Sequence, residues 1–325
     1  MPYLEIRRDI FIMEIDKLFG EFDDVIIVVP LPKYLVFYEL GLALSQALTS
    51  ISVTNHIEVQ SINDYCFSQK QDSRKIYIIY GVECFDINQL PEKFIVYQFE
   101  QMWAKINTVH EEVIQAYIQI IQRSVALWEY SHSNIKFFQD RHVTVPIYHV
   151  PLGYSPCLEY NNVSGVIDLT SVEGGTVGFI GNIKCERRKR ILEPLQNKKK
   201  LTIFNNNVWN NNDPRVGQTT RLKAEIFHGL EIGVVVYYYN PVVSSFDLYR
   251  IITFIANRCV VISEYCMDLN IIKKFSPYIV FCESFEIEAW IDYFNSNPED
   301  RKARAERAYQ WLVRENLYKD LLPNF

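Results

Sequence analysis

The sequence predicts an α/β protein of two doubly wound domains, each a parallel sheet covered by helices. Three observations predict it. Short apolar runs of strand length alternate with amphipathic stretches of helix length along most of the chain. The 325 residues exceed what one hydrophobic core usually organises. A polar stretch, CLEYNNVSGVIDLTSVEGG, divides the alternation into two runs, each able to build a sheet by itself.

In the first run, VIIVV (25–29) reads as a fully buried strand, since strands of parallel sheets are apolar on both faces. A helical stretch follows from Tyr34 to Leu48. KIYIIYG (75–81), FIVYQFE (94–100) and SVALWEYS (124–131) are further strands, with helices over 109–123 and 132–140. VPIYHVPLGYSP (145–156) ends this half with a strand, prolines and a glycine.

In the second run, TVGFIGN (176–182) is a strand, ERRKRILEPL a helix and KLTIFN a strand. TTRLKAEIFHG is a helix stopped by its glycine. EIGVVVYYY is a strand, and FDLYRIITFIANRCVVISEY (246–265) a helix followed by a strand. YIVFC is the last strand, and helices near 284–296 and 299–316 close the chain. Two Rossmann-like domains with a cleft between them are the architecture this order implies.

Composition narrows the function classes. At 49% hydrophobic and 22% charged residues, the chain has an ordinary globular make-up. A formal net charge of −6 argues against a dedicated nucleic-acid binder. Its one basic cluster, KCERRKRILEPLQNKKK (184–200), reads as a solvated helix face. The opening MPYLEIRRDIF lacks the apolar core of a secretory signal, and no apolar run reaches the ~18 residues of a membrane span. Seven cysteines without a CxxC pair suit reduced thiols, with Cys259 in the core, so a cytoplasmic location is expected. The six histidines show no HExxH, and no GxSxG elbow is present.

Ligands of open parallel sheets bind at the carboxyl ends of the strands. The second run ends its strands in Gly181-Asn182, Asn205-Asn206, Tyr239-Asn240 and Ser263-Glu264, all polar and all on one edge. After Gly181 the chain turns tightly into a helix, so backbone amides and the helix start can face a phosphate. Arg187 or Arg188 can add a bidentate contact. Asp247 is either a helix cap or a ligand carboxylate, and Arg250, three residues on, either pairs with it or faces ligand. Glu264 is placed to accept both hydroxyls of a ribose from a solvent-facing position, or is a solvated turn residue.

These residues resemble a known family. VGFIGNIKCERRKRILEPL followed by EIGVVVYYYNP and FDLYRIITFIANRCVVISE is similar to the donor-binding half of GT-B-fold glycosyltransferases, of the kind found in large DNA viruses and bacterial glycan clusters. VYQFEQMW (96–103), ALWEYSHSN (126–134) and YHVPLGYSP (148–156) resemble the amino-terminal half. The resemblance implies an acceptor domain over 1–155, a donor domain over 156–298, and closing helices (299–325) packed back toward the first domain. It implies a nucleotide-sugar donor, with Asn182 and Arg187 or Arg188 at its phosphates, Asp247 and Arg250 along the donor, and Glu264 at the ribose; Asn205, Tyr239 and Asn240 share that edge. The acceptor is a glycan, a lipid or a protein. Glu100, with Gln101, follows a strand of the first half and either orients the acceptor hydroxyl, serves as base, or packs. Where relatives carry a lysine near the start of EIGVVVYYY this chain has Glu231, a histidine is replaced at Tyr237 or Tyr238, and PLPKYLVF lacks a glycine-rich loop.

No Asp-x-Asp is present, so transfer without a metal or other cofactor is expected, with the leaving diphosphate balanced by arginines and amides. If the chain is viral, the location is host cytoplasm. Two further readings stand beside this one: a DNA-modifying glycosyltransferase with the 184–200 cluster on the phosphate backbone, and a catalytically silent binding module of the same fold.

Overall fold

The structure, a computed structural model, describes residues 19, 21–30, 35–51, 56–61, 73–85, 87–106, 108–160, 176–204 and 216–322. The chain divides after Ser155 and again after Asn316. One unit holds the described residues before Pro156 and those from Leu317 onward; the other is Pro156–Asn316.

The first unit is built on β1 (Asp24–Val29), β2 (His56–Ser61), β3 (Lys75–Tyr80), β4 (Phe94–Gln98), β5 (Ala126–Glu129) and β6 (Ile147–His149). Their order is β2-β1-β3-β4-β5-β6, and every pairing is parallel. The central strands are apolar because both faces are covered: all of β4 and all but the first residue of β1 and β3 are buried. Helices α1 (Leu35–Ser50), the single turn α2 (Met102–Lys105), α3 (Glu111–Gln122) and α4 (His132–Asp140) supply the connections. Sequence reasoning missed β2, HIEVQS, an edge strand with no fully buried residue that lacks the apolar run of its neighbours.

The second unit holds β7 (Val177–Ile180), β8 (Thr202–Phe204), β9 (Ile232–Val235), β10 (Val260–Glu264) and β11 (Val280–Cys282). Its order is β11-β10-β9-β7-β8, again all parallel. The helices are α5 (Glu186–Asn197), α6 (Val216–Gly229), α7 (Leu248–Ala256), α8 (Leu269–Phe275), α9 (Ile287–Ser296) and α10 (Pro298–Glu315). Helix α7 is buried at every position except Arg250. It lies so close to β9 that a Cβ on Gly233 would meet Phe254 at 2.4 Å, which is why a glycine interrupts an otherwise branched strand.

Of the described residues within 299–325, those up to Asn316 fall in the second unit and those from Leu317 in the first. Helix α10 packs on α7, α9 and β10 within the second unit. Its buried face of Ala305, Ala308, Trp311 and Leu312 requires this, with Trp311 stacked on Tyr278 and edge-on to Phe275. Only the last described residues join the first unit: in α11 (Tyr318–Leu321) Tyr318 donates its N–H to Tyr154 and shares a hydroxyl hydrogen bond with Tyr97. Among the described residues no helix is long and apolar enough to cross a membrane.

Candidate functional site

In a sheet ordered β11-β10-β9-β7-β8 the chain runs outward from β7 to β8, then restarts on the other side of β7 with β9. The crevice beyond the carboxyl ends of β7 and β9 is therefore the topological switch point, where doubly wound sheets take ligands. Gly181 leaves β7 at this point with φ +151°, a conformation side chains avoid, and a Cβ there would stand 3.0 Å from Arg250 Nη2.

Two arginines of α5 tie the crevice together. Arg188 is buried and donates from Nε to Val236 O at 2.9 Å and from Nη1 to Asn182 O at 2.9 Å, so it bridges the two strands. Its guanidinium lies over Phe179 and Tyr238, 5.2 and 5.4 Å from their centroids. Burial, and then the nearby Arg250 charge, push Arg188 down to about 9. Arg187 donates to Tyr237 O at 2.8 Å and grips both oxygens of Glu264. The fork geometry of a guanidinium against a carboxylate favours this bidentate pairing.

Glu264 is thus not the solvent-facing carboxylate expected. It is buried, and its Oε2 also accepts the Tyr237 N–H at 2.8 Å. A strand's last residue points either into solvent or toward its neighbour, and here β9 and Arg187 provide the partners. Asp247 is the N-cap of α7, accepting the Arg250 N–H at 3.4 Å, and its other oxygen pairs with the Arg250 guanidinium. Asn240 caps the turn at Pro241–Val243 by accepting the Val242 N–H at 3.1 Å, and the Asn182 side chain accepts from Lys184 N at 3.4 Å. Tyr239 packs edge-on to Tyr238. Asn205 lies outside the described residues. Glu231 stands at the amino end of β9, opposite the ligand edge, paired with Arg301 at 2.8 Å; a lysine there would not reach the crevice.

Phe179 went unnoticed in the sequence because a strand phenylalanine reads as core. The structure brings Gly181, Arg187, Arg188, Asp247, Arg250 and Glu264 to one crevice, as three guanidiniums against two carboxylates.

The carboxyl edge of the first unit carries a second polar group. Glu100 follows β4, and its Oε2 pairs with Lys105 Nζ of α2 at 3.0 Å. Glu83, in the short 3-10 turn after β3, faces it. Loss of hydration, then repulsion by the Glu100 carboxylate, pushes the Glu83 carboxyl up to about 7. Glu83 as a residue is exposed, so the Glu100 carboxylate is the cause that carries weight. Beneath them lies Glu129, fully buried at the end of β5 and raised well above the usual carboxylate range by that burial, against the opposing hydrogen bonds it accepts. Neither Glu83 nor Glu129 was singled out from the sequence; the left-handed Gly81 before Glu83 was the available signal. Among the described residues no three His, Cys, Asp or Glu side chains converge as a metal-ligand group would.

Two parallel doubly wound sheets are the architecture of the GT-B fold of glycosyltransferases, and solved structures agree on that fold. The chain is similar to sucrose-phosphate synthase from Thermosynechococcus elongatus, at 10% identity over 92% of this chain and 96% of that one, with a TM-score of 0.57. It is similar to Anabaena HepE, solved in complex with UDP and glucose, at 8% identity over 91% and 96%, with a TM-score of 0.58. It is also similar to WaaG, a glycosyltransferase involved in lipopolysaccharide biosynthesis, at 10% identity over 92% and 97%, with a TM-score of 0.51. No family model matches the sequence, and no curated protein matches it.

Proposed function

We propose that this protein is a glycosyltransferase that takes a nucleotide-sugar donor at the switch point of its second sheet and transfers the sugar to a glycan, lipid or protein hydroxyl. The observation that carries the reading is the excess positive charge around Gly181, where Arg188 and Arg250 repel one another across a glycine turn. A diphosphate seated there meets two guanidiniums and the start of α5, the arrangement that stabilises a leaving diphosphate. Transfer then needs no divalent metal, because the arginines carry the charge balance. The fold shared with HepE, a protein solved with UDP and glucose, supports the donor class.

Glu264 accepts the ribose hydroxyls by giving up Arg187, which is released toward the diphosphate. Glu100, at the sheet edge of the first unit, takes the acceptor hydroxyl. The basic cluster supports this reading over a duplex-DNA substrate. Arg187 and Arg188 turn inward, Lys189 pairs with Glu186 at 2.8 Å, and Lys198 and Lys200 pair with Glu288 and Asp292 at 2.6–2.8 Å. Fewer cations are left to release counterions from a phosphate backbone, Lys184, Arg190 and Lys199 being the ones exposed outside these pairs.

The test is a thermal-shift screen with UDP-, GDP-, dTDP- and CMP-sugars, followed by donor hydrolysis with and without EDTA. A ligand at 100 times its dissociation constant stabilises by about 2.7 kcal/mol. Binding without turnover leaves a silent module, and no shift with any nucleotide removes the proposal. Activity lost to EDTA and restored by manganese removes its metal-independent part.

A further inference from the structure

Two buried side chains beneath Glu100, braced by a third, form a clamp on its peptide group. Gln98 accepts the Glu100 N–H through Oε1 and donates from Nε2 to Glu100 O at 2.9 Å. Asn134, on α4, donates from Nδ2 to the same carbonyl at 2.7 Å and accepts the Met102 N–H through Oδ1 at 3.2 Å. Both amide NH₂ groups also donate to Glu129, from Gln98 to Oε2 at 2.9 Å and from Asn134 to Oε1 at 3.3 Å. The Ser131 N–H donates to Oε1 at 2.9 Å.

The Glu100 N–H and carbonyl and the Met102 N–H set which way both amides face. The N–H groups of Gln98, Asn134 and Ser131 then close on Glu129, opposing the burial that raises its carboxyl. With NH₂ turned to Glu129, the oxygens of Gln98 and Asn134 must face the N–H groups of Glu100 and Met102, which begin the turn into α2. Reversing either amide would set an NH₂ against a backbone N–H in a site closed to solvent. All three side chains are at most 1% exposed, so no solvent replaces a lost partner.

We infer that Glu129 is the positioning residue of this edge: by bracing Gln98 and Asn134 it fixes the Glu100 peptide, and so holds the Glu100 carboxylate against Glu83 and Lys105. The charged and titratable groups facing that carboxylate are Glu83 after β3, Lys105 on α2 and Tyr117 on α3. The assignment of Glu100 to the acceptor hydroxyl rests on the proposed function; the clamp itself does not.

The test is Glu129→Gln in the full chain. The new NH₂ must oppose either Gln98 or the pair of Ser131 and Asn134, so one amide reverses. Carboxyl-carbon NMR of glutamate-labelled protein follows the titration of Glu83 and Glu100. In the parent one step lies near 7; in the variant it moves down toward the ordinary carboxylate range. Glu129→Asp, which keeps the charge but withdraws the oxygens by one methylene, gives the same shift if the glutamine variant does not fold. With the sugar nucleotide that shifts the parent, donor affinity stays constant while kcat for donor hydrolysis falls about ten- to a hundredfold, as misplacement of a reacting group does. A folded variant with the parent's titration and kcat overturns the inference. A parent that binds no sugar nucleotide removes the proposed function, while the titration still decides the role of Glu129.

Discussion

The guanidiniums of Arg188 and Arg250 lie over the same ring, that of Phe179, at 5.2 and 5.8 Å from its centroid. Asp247 forms its ion pair with Arg250, and the Arg188 guanidinium makes its hydrogen bonds to backbone carbonyls. Two cations held over one aromatic ring repel, and an anion is bound most readily where they meet. Arg250→Gln should therefore weaken nucleoside diphosphate binding by roughly ten- to a hundredfold, the value of a charge-assisted hydrogen bond of about 1.5–3 kcal/mol. The unliganded protein should lose little stability, because the variant relieves the repulsion on Arg188. Calorimetry with UDP and GDP checks the first part and urea unfolding the second. Undiminished affinity would remove Arg250 from the site.

Gly181→Ala tests the same crevice through the backbone. The φ of +151° is unfavourable for alanine, and the added methyl would press on Arg250 Nη2 at 3.0 Å. The arginine can give way, but the buried Phe179 ring also stands 3.2 Å from the methyl, so the expected stability loss is about 1–3 kcal/mol. Nucleotide affinity should fall by at least as large a factor as in Arg250→Gln, since the methyl also fills the space over the turn. A variant that loses stability but binds nucleotide as the parent does would make Gly181 a purely conformational glycine.

Much of the fold was legible because buried parallel strands advertise themselves. VIIVV, KIYIIY and VVIS are apolar on both faces, and each became a strand within a residue or two of its expected bounds. β2 was illegible because an edge strand such as HIEVQS needs little burial. Helix α8 was illegible because LNIIKKF spans only 7 residues, too few to establish a period. At the site, sequence position showed which residues share the sheet edge but not which of them satisfy one another. Glu264 and Arg187 are 77 positions apart, and only the pairing of β10 with β9 and of β9 with β7 brings them together. The clamp under Glu100 is likewise made by three strand ends and helix starts whose spacing carries no motif.

The carboxyl pair at the first sheet edge makes stability depend on pH. Glu83 is raised in the folded state from 4.5 to about 7, so between those values the folded protein holds more protons than the unfolded one. Stability then falls as pH rises through that window. Glu83→Gln removes the repulsion on Glu100, and the difference in melting temperature between variant and parent should grow from near zero at pH 4.5 to its maximum above pH 7. Parallel melting curves would show that the two carboxyls do not interact.

The Arg187–Glu264 pair makes the last prediction, and it differs from what a solvent-facing carboxylate would give. Glu264 is 1% exposed and holds both Arg187 and the Tyr237 N–H, so Glu264→Ala takes an acceptor from a buried N–H and from a half-buried guanidinium at once. Breaking a buried ion pair from one side costs about 3–5 kcal/mol, and the partial exposure of Arg187, 22%, places this one near the lower end. Arg187→Ala should cost at least as much, because it leaves the buried Glu264 carboxylate with only the Tyr237 N–H. Arg187, by contrast, is partly exposed and keeps the Tyr237 carbonyl when Glu264 is removed. If the pair acts as a unit, the double variant should be destabilised by clearly less than the sum of the two single changes, a coupling of about 1–3 kcal/mol. Urea unfolding of the four proteins measures it. Saturating nucleoside diphosphate should shrink the coupling, since ribose hydroxyls replace Arg187 at Glu264 in the proposed complex. Equal coupling with and without nucleotide would leave Glu264 as a brace between β9 and β10, with the ribose held by other groups.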